Sequence, residues 1–456
     1  MREGGEKMSK TKEKTKLYKT TLVVVKPGQK ELLDYCEKHT KAAKLFKNAV
    51  TYRCRQLYFA FLKGYADLND AQNEVLDEFK QIGIAFPISK NTFLPGYKAF
   101  DDMFKKTKNP DYYNELPMQS SQHIIKSVLE EWKSFRAAFF DYRKNPSKYT
   151  GKPKAPGYVD SDKTTFTITN QDAVIKNDNT LKLPKTKTKL PLGNLKIGKL
   201  IGIEIKPYYN TYQISLVEEM METQFPSLCQ ERVISLDLGV DNFVAASNNC
   251  GLTPFVINGK KLKSYNQWYN KILAKHKSHC PTRQYTSKKV CLLNKHHKHF
   301  TTNFYNQCAS YIMKYCQNNN IGTIVIGKNT YWKQSSNMGN KTNQTFCFIA
   351  HSIFINKIKE MAAVRKIHVI ITEESYTSKA SFLDGDVIPV YRKDHKEKHA
   401  FSGKRVYRGL YKSKNNIIMN ADINGASNIL RKALPDALIK VTNFDYLWKT
   451  TAVVNI

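Results

Sequence analysis

None of the nine cysteines in this 456-residue chain forms a C-x-x-C pair, and none follows Cys347. That spacing excludes the commonest structural zinc sites. The odd count, without a secretory signal, argues against a disulfide framework and predicts free thiols in a reducing, intracellular setting. No apolar run approaches the roughly 18 residues needed to span a bilayer, so no membrane partner is expected. Internal repeats are absent. Acids are scarce: 39 Asp and Glu stand against 73 Lys and Arg, giving a formal net charge of +34 and a pI near 9.6. Such an imbalance predicts a polyanionic partner whose phosphates neutralise the self-repulsion. What is abundant fits that partner. The chain carries 26 Tyr and 23 Phe interleaved with lysines, suited both to core packing and to stacking on unpaired bases.

Periodicity divides the chain. Residues 1–16 form a Lys-rich polar tail predicted to be disordered, followed by a strand from Tyr18 to Val25 ended by Pro27-Gly28. From Leu32 to Leu62 the apolar residues Tyr35, Ala42, Leu45, Ala49, Leu57 and Phe61 recur at helical spacing, and helical patterns return near 71–84, 91–105 and 121–143. After a Pro/Gly/Lys-rich break at 145–157 the period becomes two, over 165–168, 180–183, 201–205 and 212–217. Short strands with turns between them predict a small antiparallel barrel, joined by the strand at 18–25. From about 230 the pattern is α/β. Strands are expected near 232–238, 242–247, 254–258, 323–326 and 367–371, helices near 264–277, 286–319 and 346–365, a polar insertion over 376–417, and a last helix starting near Asn420.

Three acids occupy unusual places. Asp237 ends the apolar run Val233-Ile234-Ser235-Leu236, where a charge must be paired, capped or bound to a metal. A turn-forming Asp beside Gly239 is the plainer alternative. Glu374 lies just past the strand His368-Val369-Ile370-Ile371, at a strand end where α/β sheets bind ligands. Two acids in a surface turn, Glu373 and Glu374, would read the same way. Asp422 opens the last helix with Ala426 and Ile429 at spacings of four and seven, which projects it onto the apolar face. It could instead be the N-cap, a role for which Asn420 competes. Three carboxylates around phosphate-handling metals are what a nuclease needs. His296, His297 and His299 on a Lys-rich helix are expected to face phosphate or solvent rather than a metal.

The order strand-Asp, strand-Glu, helix-Asp is that of a ribonuclease-H-type fold, and the surrounding residues carry a resemblance. Ser235-Leu236-Asp237-Leu238-Gly239-Val240-Asp241-Asn242, Gly322-Thr323-Ile324-Val325-Ile326-Gly327, Tyr376-Thr377-Ser378-Lys379 and Asn420 to Leu430 are similar to motifs of the RuvC-like nuclease in the TnpB (OrfB) proteins of insertion sequences, their Fanzor relatives and the compact type V CRISPR effectors. The stretch Gln119 to Phe140 also resembles the helix preceding that family's barrel. The resemblance implies a multi-domain α+β protein: the tail 1–16, a first wedge strand 17–30, a helical recognition domain 31–149, a wedge β-barrel 150–228, a RuvC-like nuclease of RNase H fold in two parts, 229–375 and 418–456, and a target-nucleic-acid-binding-like insertion 376–417.

Two departures from the family pattern matter. The usual glutamate after the strand 323–326 is replaced by Gly327-Lys328-Asn329. A branch of the family, Fanzors included, supplies it just before Tyr-Thr-Ser, which maps onto Glu374, with Glu373 as the fallback because alternation turns one of the two away. The family's zinc ribbon is also missing. Ala380 and Leu383 stand at its first pair, and His395 and His399 alone cannot complete a site, so no structural zinc is expected. The resemblance therefore implies an RNA-guided DNA endonuclease, a monomer, that cuts next to a short flanking motif. Asp237, Glu374 and Asp422 would hold two Mg²⁺ ions (Mn²⁺ as a substitute), one activating water and one stabilising the leaving oxygen. The partners would be a guide noncoding RNA, from a transposon end or a CRISPR array, and double-stranded target DNA. The protein would work in the cytoplasm or nucleoid of a prokaryote, or in a eukaryotic nucleus. The alternatives are a guided repressor that has lost cleavage, and an unguided structure-selective nuclease.

Overall fold

The structure, a computed structural model, describes residues 17–89, 92–113, 115–220, 225–281, 286–328, 349–391 and 399–456. The tail 1–16, His395 and the first residues of the helix predicted from 346 lie outside them. The chain divides into two compact units, Met1–Met221 and Glu222–Ile456.

The first unit begins with β1 (Tyr18–Val24) and the 33-residue helix α1 (Lys30–Leu62). The buried stripe of α1 runs through Tyr35, Ala42, Phe46, Val50, Cys54 and Leu57, while Leu45, expected inward, is 48% exposed. Phe46 lies four residues after Ala42, three after Ala43 and four before Val50, all buried, and Leu45 falls just off that stripe. Helices α2 (Asp70–Lys80), α3 (Tyr97–Lys106), α4 (Pro110–Tyr113) and α5 (Met118–Lys144) follow. Then come β2 (Phe166–Thr169), β3 (Val174–Ile175), β4 (Thr180–Lys182), β5 (Lys189–Pro191), β6 (Lys199–Tyr208) and β7 (Thr211–Glu219).

The predicted barrel is not closed. β1, β7, β6 and β2 form an antiparallel sheet in that order, and β3, β4 and β5 a separate small one; among the described residues no pairing joins β2 back to β1. The early strand does join as expected, with Tyr18 opposite Glu219 and Val24 opposite Gln213. Four strands are too few to wrap around their own side chains. The apolar face is covered by helices instead. Phe166, Ile168, Ile203, Ile205 and Ile214 share one core with Phe46 of α1 and Ile125, Val128 and Trp132 of α5.

The second unit is built on a six-stranded mixed sheet. Its members are β8 (Cys229–Leu238), β9 (Asn242–Asn248), β10 (Phe255–Asn258), β11 (Ile321–Gly327), β12 (His368–Thr372) and β16 (Ala452–Val454), in the order β12-β11-β8-β9-β10-β16. β8, β9 and β10 are antiparallel, and β11 and β12 add in parallel beside β8. The strand β16, which pairs in parallel with β10, was not legible in the sequence, because three residues show no period.

Alternation along β8 assigns its two faces. Ile234 and Leu236 pack with Phe304, Cys308 and Ile312 of α7 (Lys288–Asn318) and Phe354 and Ile358 of α8 (His351–Val364). Val233 points to the other face, onto Ile429 and Leu430 of α9 (Ala421–Ala433). Here the approach is close. Ser235 Oγ donates to Ala426 O at 2.7 Å, and Ser247 and Ser427 hydroxyls meet at 2.7 Å. Small residues on both sides let the helix backbone settle onto the strands.

The polar insertion carries β13 (Lys404–Tyr407) and β14 (Leu410–Lys412), which form a three-stranded sheet with β15 (Ile418–Asn420) just past it, and β15 runs directly into α9. No helix among the described residues is long and apolar enough to cross a membrane.

Candidate functional site

Asp237 lies within β8 opposite Ala245, not in the turn after it, so its side chain follows the parity of Val233 and Ser235 and faces α9. The first turn of that helix supplies Asp422. Asn420 is the N-cap, its Oδ1 accepting from the Asp422 amide at 2.9 Å and the Ile423 amide at 3.3 Å. Asp422 is thereby released from capping. Its Oδ2 accepts from Asn242 Nδ2 at 2.7 Å, and its Oδ1 lies 3.5 Å from Arg405 Nη2.

The third acid arrives from β12. Ile370 packs with Val233 and Ile429, and the same parity continued past Thr372 brings Glu374 to this face. Its backbone is pinned: Thr377 donates to Glu374 O from its hydroxyl at 2.8 Å, and Asn428 of α9 holds Thr377 O at 2.8 Å. Glu373 points elsewhere. It accepts from Lys432 Nζ and from the Ser375 amide. Burial raises the Glu373 carboxyl, but these donors outweigh it and leave it below its usual value.

The acids act on one another. Burial, then the Glu374 carboxylate, then Asp422 push the Asp237 carboxyl up to about 8, against a smaller opposing pull from Arg405. Two glycines cradle the group. A Cβ at Gly425 would lie 2.6 Å from Asp237 Oδ2, and one at Gly327 would lie 2.6 Å from Glu374 Oε2. Among the described residues no three acidic, histidine or cysteine side chains converge tightly enough to cage one ion. The donor chemistry still suits a hard divalent cation: the donors are carboxylate oxygens, and their mutual repulsion is relieved by positive charge.

Sequence reasoning missed Arg405. It sits on β13 in the insertion, whose hairpin also carries Arg408 to Asp241, the latter already bound to Lys263 at 2.6 Å. The run Lys404-Arg405-Val406-Tyr407 does not alternate polar and apolar residues, so periodicity gave no signal for a strand there. His297 also departs from expectation. It stacks on Tyr269 with ring centroids 3.9 Å apart and bonds to Asn266 Oδ1 at 2.8 Å, so it packs between α6 (Lys260–Ser278) and α7 rather than facing phosphate. His296 and His299 are exposed as expected.

Two family models match this chain: the OrfB_IS605 probable transposase over residues 217–333 and the Cas12f1-like TNB domain over residues 351–429. The matched segments are similar to OrfB_IS605 and Cas12f1-like proteins and span the elements that carry Asp237, Glu374 and Asp422. The fold agrees. A Cas12f1 complex with single guide RNA and target DNA, solved by cryo-electron microscopy, superposes with a TM-score of 0.51 at 13% identity, covering 91% of this chain and 99% of that one. A CRISPR-Cas12f ternary complex superposes at only 0.33, with 15% identity over 88% of this chain and 81% of that one. A comparison with curated proteins found no match.

Proposed function

We propose that this TnpB/Cas12f-like protein is an RNA-guided DNA endonuclease that hydrolyses phosphodiesters at Asp237, Glu374 and Asp422. The observation that carries the reading is that carboxylates from β8, the end of β12 and the first turn of α9 lie near enough to act on one another: after burial, Glu374 and Asp422 both raise Asp237. An acid held in that state costs stability and is retained for chemistry. Two Mg²⁺ ions held by these carboxylates would activate water and stabilise the leaving oxygen. The chain's own groups set the frame. Asn242 fixes the rotamer of Asp422 through Oδ2, leaving Oδ1 beside Arg405. Arg405, half-exposed beside Asp422, is placed to meet a scissile phosphate. Base pairing to a guide RNA would select the target, and the protein would hold the heteroduplex by charge and shape, for which the net charge of +34 is the means. In this reading residues 31–149 serve recognition, residues 17–30 and 150–228 the wedge, and the insertion 376–417 contacts the target strand.

The experiment is plasmid cleavage with Mg²⁺ by protein purified with its bound RNA. Cutting confined to plasmids complementary to that RNA is expected. Guided binding without cutting would mark a repressor, and cutting that needs no RNA would mark a structure-selective nuclease.

A further inference from the structure

Gly327 ends β11 at the place where the matching strand of the resembled family bears its glutamate. It is paired with Thr372 at the end of β12, and the ladder continues one step further as Lys328 N donates to Thr372 O at 2.8 Å. Parity places Gly327 on the face of Val325, whose side chain packs with Ile429 and Leu430. The backbone at 327 is not in the left-handed region, so conformation does not call for glycine there. Space does. A Cβ would lie 2.6 Å from Glu374 Oε2, 2.6 Å from Ile429 Cδ1 and 3.1 Å from Ile429 Cγ1. Real Cβ atoms do not approach other atoms that closely, so one side or the other must move.

We propose that Gly327 is a positioning residue: the space above its Cα seats the Glu374 carboxylate, so that position 327 can bear a side chain only if Glu374 withdraws. A carboxylate carried on β11 and one carried past β12 thus exclude each other, and this chain is committed to the second. The obstacle is steric and two-sided. Glu374 cannot retreat by sliding its backbone, because Thr377 and Asn428 tie that turn to α9. What gives way is its carboxylate, the far end of a flexible side chain, which must leave the seat it holds above Gly327. The proposal rests on the reading that Glu374 is a metal ligand, and the experiment separates the two.

The test is a sign-changing double-mutant cycle. Gly327→Ala is made together with Ile429→Val, which removes the Cδ1 contact and leaves the 2.6 Å clash with Glu374 beside the milder 3.1 Å contact at Cγ1. This pair should melt within a few degrees of Ile429→Val alone, lose the rise in melting temperature that Mg²⁺ or Mn²⁺ gives the RNA-free protein, and cleave at least about 100-fold more slowly. Glu374→Asp, shorter by one methylene, should slow cleavage about tenfold when Gly327 is present. In the Gly327→Ala/Ile429→Val background the same change should speed cleavage about tenfold and restore part of the cation-induced shift, because the shorter side chain clears the new methyl. An equal loss in both backgrounds, or full activity of Gly327→Ala/Ile429→Val, overturns the proposal. Retained cleavage in Glu374→Gln overturns instead the reading beneath it. Should Gly327→Ala/Ile429→Val fail to fold, adding Glu374→Gly should restore folding by deleting the colliding carboxylate. Failure to do so assigns the clash to Ile429 and also overturns the proposal.

Discussion

In the first unit Glu37 and Glu115 each accept from a lysine, Lys41 and Lys38, and both carboxyls are held below their usual range. Glu218, more buried, is raised by that burial, yet the Gly198 amide and Lys19 pull it below normal. In the second unit Asp237 is raised by burial and then by two more acids. The first arrangement stabilises the fold and the second costs it. With 73 basic residues in the chain, cations are available to pair any acid that only has to be stable. A centre where acids face acids is kept for another purpose.

Breaking that centre should give the largest effect. Asp237→Ala and Asp422→Ala are each expected to reduce guided plasmid cleavage by about a thousandfold or more, with guided binding nearly unchanged, since affinity comes from phosphate contacts and base pairing. Gel-shift and cleavage measured on the same preparations check both halves. Retained cutting in either variant would remove the site from the mechanism.

The two classes of acid should also give pH dependences of opposite sign. Asp237 has an ordinary value of 3.8 and a folded value of about 8. Between these, the unfolded chain releases its proton while the folded chain keeps it. Stability in EDTA should therefore fall as pH rises from about 4 to 8, by at most about 1.4 kcal/mol per unit, and level off beyond. Glu37, Glu115 and Glu218, lowered in the fold, contribute in the opposite sense: their stabilisation is present above the unfolded value and lost as pH drops through the folded one. Asp237→Asn should flatten the alkaline decline specifically, and Mg²⁺, by taking the proton's place, should do the same. Denaturant melts at pH 5 and pH 8 decide it; a decline unchanged by Asp237→Asn would break the contrast.

A smaller effect sharpens the other side of the comparison. Arg53 and Glu78 tie α1 to α2 through two parallel bonds of 2.6 and 2.8 Å, with side chains only 11% and 15% exposed. Glu78→Gln keeps the size but leaves the guanidinium facing a neutral amide, and is expected to cost about 2 kcal/mol of stability. Unfolding monitored through the first unit, with cleavage by the residual folded protein unaltered, is the check.

How much of this was legible in the sequence follows from length and parity. The long helices and five strands of the second unit's six-stranded sheet announced themselves by period, and Asp237, Glu374 and Asp422 stood out as acids at strand ends or on an apolar helix face. Closure of the first unit's sheet was not legible, because alternation reports that one face is apolar, not whether strands or helices cover it. Phe46 and Leu45 show the same limit, as adjacent apolar residues of which only packing selects one. Arg405 was hidden because a strand pair within a polar insertion carries no hydrophobic signature.

The smallest expected effect concerns the neighbour of Glu374. Glu373 and Glu374 are adjacent acids, but Glu373 bonds to Lys432 and the Ser375 amide and is lowered, as the acids of the first unit are. Glu373→Gln retains an amide oxygen for the Ser375 N–H and loses only the charge opposite Lys432, which keeps carbonyl acceptors at Ser375 O and Pro389 O. A stability loss of about 1 kcal/mol and a cleavage rate within about threefold of wild type are expected. Glu374→Gln, by contrast, should keep the melting temperature and lose cleavage by about a hundredfold or more. Melting curves and cleavage rates for the two variants side by side test the alternation past β12. The reverse pattern would mean that the strand's parity does not continue to residue 374, and the acid facing Asp237 in function would be Glu373.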